Sequence, residues 1–596
     1  MKKITLFLAL IIGLNATFAQ TPLPAGNYYV PNDPGNASVF YTSLTDAFEA
    51  INFNGLAGDI VLYINGDINQ STNVGLINPS NYTITIRPDA DVDRTITFSQ
   101  AADNAGPSGA LCIGIKNTIA WTDLAQAKNI TIDGYAEGGS TRRLKIATSA
   151  TQHGGNGPIL LINDCSNIQI KNTIIHNIGA TTSASTYGIY LRANTAYGVN
   201  KMPYNVLIEN NHITSSQNTA SQAIGTFANA APGAVATDIV IKDNVLHART
   251  RGVFLNYVYN IVIDGNDFHI VQTAGSVLSS AIMGNSGITG DVTVSGNKFL
   301  ELKSANSAAG AFGMRGIIAS GGGTWNIHNN FFTGFDKTSA TAGGTMMQAI
   351  RCGSTTNIRN NTFYLNALTN KPTHTETPTD AVSAYCAINI AAGTPLVKNN
   401  IFISDEDAVY NFFVRGTVTG DSDYNVMYLK AGNNFARFNM NFNTTYATFA
   451  AYQAAYPTKD VNSKNVNVEF ANAAAGDLSI AGISIQDANL KVPSLAAVTT
   501  DIFGTVRNTE FTYAGAHEST LPFLTTSYEG MQQEPIRVKQ NYNGIEVELN
   551  QMSDIELYSI NGVLLDKTRT DGLYSRELGK GMFIIRVNGQ AQKFVR

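Results

Sequence analysis

Asn205-Val206-Leu207-Ile208-Glu209-Asn210-Asn211-His212-Ile213 is a short apolar alternation that ends at an asparagine and resumes beyond it. The pattern is Asn or Asp, apolar, any, apolar, two residues, Asn, any, apolar. It returns as Asp238-Ile239-Val240-Ile241…Asn244-Val245-Leu246 and as Asn260-Ile261-Val262-Ile263…Asn266-Asp267-Phe268. A further copy reads Asp291-Val292-Thr293-Val294…Asn297-Lys298-Phe299. Weaker copies end at Asn330, Asn361 and Asn400, and an earlier one, Asn167-Ile168-Gln169-Ile170, has Thr173 in the Asn slot. From Asn211 to Asn400 the steps between successive asparagines are 33, 22, 31, 33, 31 and 39 residues.

A second short strand precedes each copy: Gly188-Ile189-Tyr190-Leu191, Ala223-Ile224-Gly225-Thr226, Gly252-Val253-Phe254-Leu255, Ala281-Ile282-Met283-Gly284, Gly316-Ile317-Ile318-Ala319, Ala349-Ile350-Arg351-Cys352 and Ala387-Ile388-Asn389-Ile390. A unit of two or three short strands with variable loops, repeated many times, predicts an all-β solenoid, a right-handed parallel β-helix. Each coil is one rung, about 4.8 Å from the next, and a rung buries its apolar residues only against its neighbours. The variable spacing disfavours a propeller, whose blades are more uniform. At the bend, an asparagine amide has donors and an acceptor, so Asn211, Asn244, Asn266, Asn297, Asn330, Asn361 and Asn400 are expected to form a ladder of rung-to-rung hydrogen bonds. Tolerance of the turn's backbone angles is the competing reason for asparagine there.

Composition fits an extended, exported β protein. The 596 residues are 14% charged and 44% hydrophobic, and Gly (53) outnumbers Lys+Arg (39). That charge content is below the roughly 25% of ordinary soluble domains, yet the apolar fraction is ample, which excludes a disordered polyelectrolyte. A net charge of -5 and 17 prolines offer no footprint for nucleic acid, a polybasic membrane binder or collagen. Residues 1–19 read as a signal peptide, with Lys2 and Lys3 before the apolar run Ile4 to Leu14, and Thr17 and Ala19 before the cut. Removing the two lysines leaves −5 − 2 = −7. No other stretch approaches the roughly 20 apolar residues of a membrane-spanning helix, so no transmembrane segment is expected in the mature chain.

Residues 20–105 read as an N-terminal cap and first rungs, with Ser43 as N-cap of an amphipathic helix through Ile51 that lids the open end. The repeats occupy 106–430, a C-terminal extension 431–520, and a linker 521–534. Residues 535–596 form a small β-sandwich-like module of alternating strands split by Gly turns. Its turn Leu557-Tyr558-Ser559-Ile560-Asn561-Gly562 and its strand Leu578-Gly579-Lys580-Gly581-Met582-Phe583-Ile584-Ile585-Arg586-Val587 resemble the C-terminal sorting domain of type IX secretion cargo. That resemblance implies the type IX secretion machinery as a partner, export through the outer membrane, and an extracellular or surface-attached product. The repeat itself resembles the right-handed β-helix proteins of the pectate-lyase-like class over roughly residues 60–430. Asp501-Ile502-Phe503-Gly504-Thr505-Val506-Arg507 with Gly515-Ala516-His517-Glu518 resembles an ending common in secreted β-helix proteins, and implies a structural Asp501–Arg507 turn clamp.

Strand alternation assigns the outward columns. One runs Asp133, Lys171, Glu209, Lys242, Asp264, Ser295, His328, Arg359, Lys398. Its signs alternate to Asp264, as in a solvated charge ladder, whereas its His328–Arg359–Lys398 end suits a polyanion. The other column, Tyr190, Gly225, Phe254, Met283, Ile318, Arg351, Asn389, is apolar for an outer face. Either loops cover it, or Tyr190 and Phe254 are platforms for sugar rings with Arg351 beside them. His247 and His269 fall in matching slots without a third metal ligand, so no metal is expected there. The acidic cluster Asp405-Glu406-Asp407 has the chemistry for calcium and equally that of a solvated loop. Aligning second strands sets Cys352 opposite Ile390 and Cys112 opposite Leu160, which predicts four unbridged, mostly buried thiols.

Ala349-Ile350-Arg351-Cys352-Gly353 is similar to the arginine segment of the chondroitinase B and alginate lyase family, but Gly321 stands where that family's base Lys falls and Cys352 replaces its His. The marks of polygalacturonases, a paired-Asp dipeptide, Gly-His-Gly and Arg-Ile-Lys, are absent, and no two carboxylates share an outward column in the manner a glycosidase needs. Two readings remain. One is a surface protein or adhesin that binds polysaccharide without catalysis. The other is a lyase or glycoside hydrolase of a polysaccharide, neutral or acidic, working through Arg351, Arg359 and His328. Neither needs a cofactor, calcium aside.

Overall fold

The computed structural model describes residues 21–35, 39–99, 109–116, 124–148, 157–177, 186–215, 221–273, 278–305, 313–339, 346–370, 385–405, 409–415, 420–429, 436–439, 445–523, 538–540, 544–587 and 590–595. Residues 1–19, read above as a signal peptide, most of 521–534, read as a linker, and Glu406 and Asp407 lie outside them. Cα packing divides the chain into two units, at Phe523 and Leu524.

The first unit is a parallel β-helix. Three sheets of 14, 13 and 13 described strands run its length, and within each sheet successive coils are neighbours. Typical triples are Tyr204–Glu209, His212–Ser215 and Ser221–Ala228, which contribute to the first, second and third sheet in turn. Pairing is in register from coil to coil, for example Ile170 to Ile208 to Ile241 to Ile263 to Val294 to Ile327. These side chains face inward and are essentially inaccessible. Repetition of one residue type at one slot therefore stacks like on like. Phe268, Phe299, Phe332, Phe363 and Phe402 form a column with successive ring centroids 5.0, 4.3, 4.6 and 4.7 Å apart, within the range of favourable offset stacking.

The asparagine ladder stands at the corner between the first and second sheets. Each side-chain amide donates to the Oδ1 of the next: Asn211 to Asn244 at 3.0 Å, then on through Asn266, Asn297, Asn330 and Asn361 to Asn400. Each backbone N–H donates to the same oxygen, for example Asn266 to Asn297 at 2.9 Å. The ladder begins on the Thr173 hydroxyl, runs one step past Asn400 to Asn425, and ends on Ser463 and the buried Asp460. The turn's left-handed backbone is carried instead by the residue before each ladder position, such as Asn210 (φ 52°), Asp243 (φ 55°) and Asn360 (φ 49°). Of the two reasons for asparagine at this corner, hydrogen bonding is the one the ladder positions serve.

Both ends are closed. Helix Leu44–Asn54, with the Ser43 hydroxyl accepting from the Asp46 N–H at 3.1 Å, buries Leu44, Ala47, Phe48 and Ile51 against the first rungs. At the far end, residues 445–523 fold back over the first-to-second corner. Asn329 donates to the Thr500 carbonyl at 2.6 Å and Asn399 to that of Pro493 at 2.7 Å. The expected Asp501–Arg507 clamp takes a different form. Asp501 caps its own turn through the Phe503 and Thr505 N–H groups, while Arg507 pairs with Glu518 at 2.9 Å. Arg507 also donates to Thr512, Gly515 and Asn329.

The second unit is a five-stranded antiparallel sheet built from Val538–Gln540, Gly544–Ser559, Leu564–Glu577, Met582–Val587 and Gln590–Val595. Gly562 (φ 79°) makes the turn after Ser559, and Ile545, Val547, Ile555, Leu557, Tyr574, Ile585 and Phe594 form its core.

Asn297→Ala removes the acceptor of both Asn266 donors and the donor to the Ile263 and Ser295 carbonyls. Buried orphaned groups cost about 1–3 kcal/mol each, so the variant should lose about 3 kcal/mol or more. A lowered urea midpoint is the expected result; an unchanged one contradicts the ladder.

Candidate functional site

The first sheet's outer column is in register throughout, from Asp133 to Lys398. Its alternating part is a charge ladder: Lys171 lies 3.7 Å from Asp133, Lys242 2.6 Å from Glu209, and Ser295 donates to Asp264 at 2.6 Å. The basic end, for which a polyanion groove is the alternative to a continued charge ladder, has its last cation paired. Lys398 pairs with Asp421 at 2.8 Å, and the folded-back extension lies over His328. Burial, with Arg359 and Arg507 close by and Asp264 pulling the other way, holds the His328 imidazole down at about 4. Arg359 neighbours His328 in the first sheet, whereas Arg351 belongs to the third. The three proposed catalytic residues therefore do not form one constellation.

The third sheet is where the alternation argument falls short. Its strands kink at a Gly or Ala in seven successive rungs: Gly188, Ala223, Gly252, Ala281, Gly316, Ala349 and Ala387. No pairing is recorded at these positions. The Ala and the Ile after it both face the core, as at Ala223-Ile224 and Ala349-Ile350. Two inward residues in succession leave the residues on either side both outward. Tyr187 and Tyr190 show this directly, since their rings stack 4.0 Å apart at 4° outside the main core. Room for the Tyr187 ring exists because residue 225 is glycine; a Cβ there would sit 2.2 Å from it.

This face thus has two outward columns. The one read from sequence runs Tyr190, Gly225, Phe254, Met283, Ile318, Arg351, Asn389. The one it missed runs Tyr187, Gln222, Arg251, Ser280, Arg315, Gln348, Cys386. The repeated Gly/Ala-Ile dipeptide was the signal for it. Tyr190 and Phe254 are not open platforms. They are 3% and 7% exposed, with Tyr190 packed against Tyr187, Leu160 and Val199 and Phe254 under the Arg251 guanidinium at 4.8 Å.

Gln222, Ser280, Arg315, Gln348 and Asn389 are buried as well, Arg251 and Arg351 half-buried, and several hydrogen-bonding atoms have no partner: Gln222 Oε1, Arg251 Nε, Ser280 Oγ, Gln348 Nε2, and both amide atoms of Asn389. Arg315 is 4% exposed. Its Nε donates to Gln348 Oε1 at 2.8 Å, and its Nη2 lies 3.3 Å from the Met346 sulfur. Burial, with Arg351 beside it, brings its guanidinium down to about 9. Burial also lowers Arg251, which among the described residues feels Tyr187 and no carboxylate.

Other candidates resolve into structure. On the second sheet His247 and His269 stack at 4.4 Å and 8°, with His212 5.2 Å beyond and His269 3.4 Å from Glu301. Among the described residues no group of three or more His, Cys, Asp or Glu is placed to hold a metal. Asp405 accepts from the Tyr364 hydroxyl. All four cysteines are buried and unbridged, with Cys352 opposite Ile390 and Cys112 opposite Leu160; burial pushes the Cys112 and Cys352 thiols up to about 12. A cavity of about 310 Å³ between Leu300, Thr333, Tyr364 and the Ala473–Gly476 turn has no charged side chain in its lining. Among the described residues no helix is long and apolar enough to cross a membrane.

No protein-family model and no curated protein matches the chain. Among solved structures, the DFA-IIIase of Arthrobacter chlorophenolicus A6, in complex with GF2, superposes with a TM-score of 0.41 at 12% identity, over 68% of this chain and 94% of that one. The GH136 lacto-N-biosidase of Eubacterium ramulus gives 0.28 at 10% identity, over 74% of this chain and 68% of that one.

His247, lowered to about 4 by burial and by His269 and His212, behaves as His328 does. The ordinary value is about 6.5. Between about 6.5 and 4 the unfolded chain binds protons that the folded chain refuses, so stability falls as pH falls through that window. The thermal midpoint should drop from pH 7 to 4.5, and less steeply in H247Q/H328Q. A double variant that tracks the parent contradicts the burial of these rings.

Proposed function

We propose that this is an exported polysaccharide-binding β-helix whose ligand lies along the outer face of the third sheet. The carrying observation is the polar make-up of that face, where the half-buried Arg251 and Arg351 stand beside Gln222, Ser280, Gln348 and Asn389, which hold buried atoms with no partner among the described residues. Buried polar groups are ordinarily paired. Sugar hydroxyls supply donors and acceptors in turn, and a stack of equivalent rungs offers a polymer equivalent positions along its length. Arg351 and Asn389 close the same face one rung apart. Tyr190 and Phe254 serve as packed walls beneath it.

The signal at 1–19 and the sorting-domain resemblance at 535–596 support export by type IX secretion and display at, or release from, the cell surface. The reading requires no cofactor. Catalysis by a lyase or hydrolase is the competing function, and Arg351 is the one of its three candidate residues on this face.

Mature protein, residues 20–596, mixed with neutral and acidic polysaccharides and run on size-exclusion chromatography, should co-elute with at least one intact polymer. Fragmentation of a polymer would overturn non-catalytic binding, and separate elution from every polymer would overturn the polysaccharide reading.

A further inference from the structure

We infer that the ligand of the third sheet is acidic, and that Arg315 and Arg251 receive its carboxylate or sulfate groups. The inference rests on the polysaccharide reading of the same face and adds the substrate class.

A buried guanidinium is costly unless an anion or a full set of acceptors meets it. This chain shows how it treats a structural arginine. Arg507, also 4% exposed, pairs with Glu518 and donates to Thr512, Tyr513, Gly515, Asn329 and Thr500. Arg315 has one amide oxygen and one thioether. Arg251 has the Phe254 ring below it and an Nε without an acceptor. Among the described residues neither faces a carboxylate.

The arrangement also has direction. Gln348 Oε1 takes the Nε of Arg315, which fixes the guanidinium plane and leaves its Nη edge for a bidentate oxyanion. Arg251, Ser280 and Arg315 occupy one column on three successive rungs. The two arginines are thus two rungs apart, about 10 Å at the strand spacing of a sheet. A chain lying along the helix axis, with acidic groups recurring at that interval, meets both.

The test is isothermal titration of the mature full chain and of R315Q with oligogalacturonate, dextran sulfate and neutral dextran, alongside melting without ligand. The parent should bind an acidic polymer in preference to dextran; the oligogalacturonate and dextran sulfate arms separate carboxylate from sulfate. R315Q should lose about thirtyfold or more of that affinity, as expected for removing one member of a buried charged contact. It should keep any affinity for dextran and melt no lower than the parent, because an uncompensated buried charge has been removed. R251Q, at a less buried site, should show the same loss. Equal affinity for dextran and the acidic polymers overturns the inference and leaves the polysaccharide reading standing. Absence of binding to all three polymers removes the polysaccharide reading itself. R315Q that binds unchanged, or melts well below the parent, makes Arg315 structural and overturns the inference.

Discussion

An asparagine side chain in this fold does not finish its hydrogen bonding within its own coil. Its oxygen is taken by the coil before, and its Nδ2 donates to the amide oxygen of the coil after as well as to carbonyls of its own coil and the coil before, from Thr173 to Asp460. The apolar slots obey the same constraint, since a rung has no core without its neighbours. The rung spacing and the in-register parallel pairing are therefore the condition for everything else. They stack the phenylalanines, align the amides, and require closure at both ends, by helix Leu44–Asn54 and by the folded-back segment 445–523.

The same register acts on polar outer faces, and there the chain makes two opposite choices. On the first sheet it alternates sign from Asp133 to Asp264, so that Lys171 meets Asp133 and Lys242 meets Glu209 one rung away. Such pairs contribute a few tenths to about 1 kcal/mol each. On the third sheet it places arginines, amides and a serine in one column, buried except at the half-buried Arg251, with no acid among the described residues opposite Arg251 or Arg315. Stability selects the first arrangement. The second costs stability, and the proposed anionic ligand would supply what it lacks. Arg507 shows that this chain can satisfy a buried arginine fully where the role is structural.

Much of the architecture was legible because it repeats. The period of the asparagines, the apolar alternation around them and the Ser43 cap each correspond to one local rule, and the structure contains all three. The cysteine register was readable for the same reason, since in-register stacking makes Cys352–Ile390 a matter of alignment. The site was less legible. Strict alternation assigns one outward column to the third sheet, but a Gly or Ala kink turns two successive residues inward and creates a second column with Arg251 and Arg315. His328, Arg359 and Arg351 lie close in sequence yet diverge, because eight residues carry the chain from one sheet to the next. The folded-back extension that buries His328 lies more than 150 residues away in the chain, at Thr500 and Arg507, and no local pattern announces such a contact.

The most direct measurement is a crystal structure of the mature protein grown with an oligogalacturonate. The account predicts sugar density along the outer face of the third sheet, with an acidic oxygen within hydrogen-bonding distance of the Arg315 guanidinium and a second acidic group toward Arg251. Sugar bound on the charge ladder of the first sheet, or Arg315 paired with a carboxylate of its own chain, would contradict it.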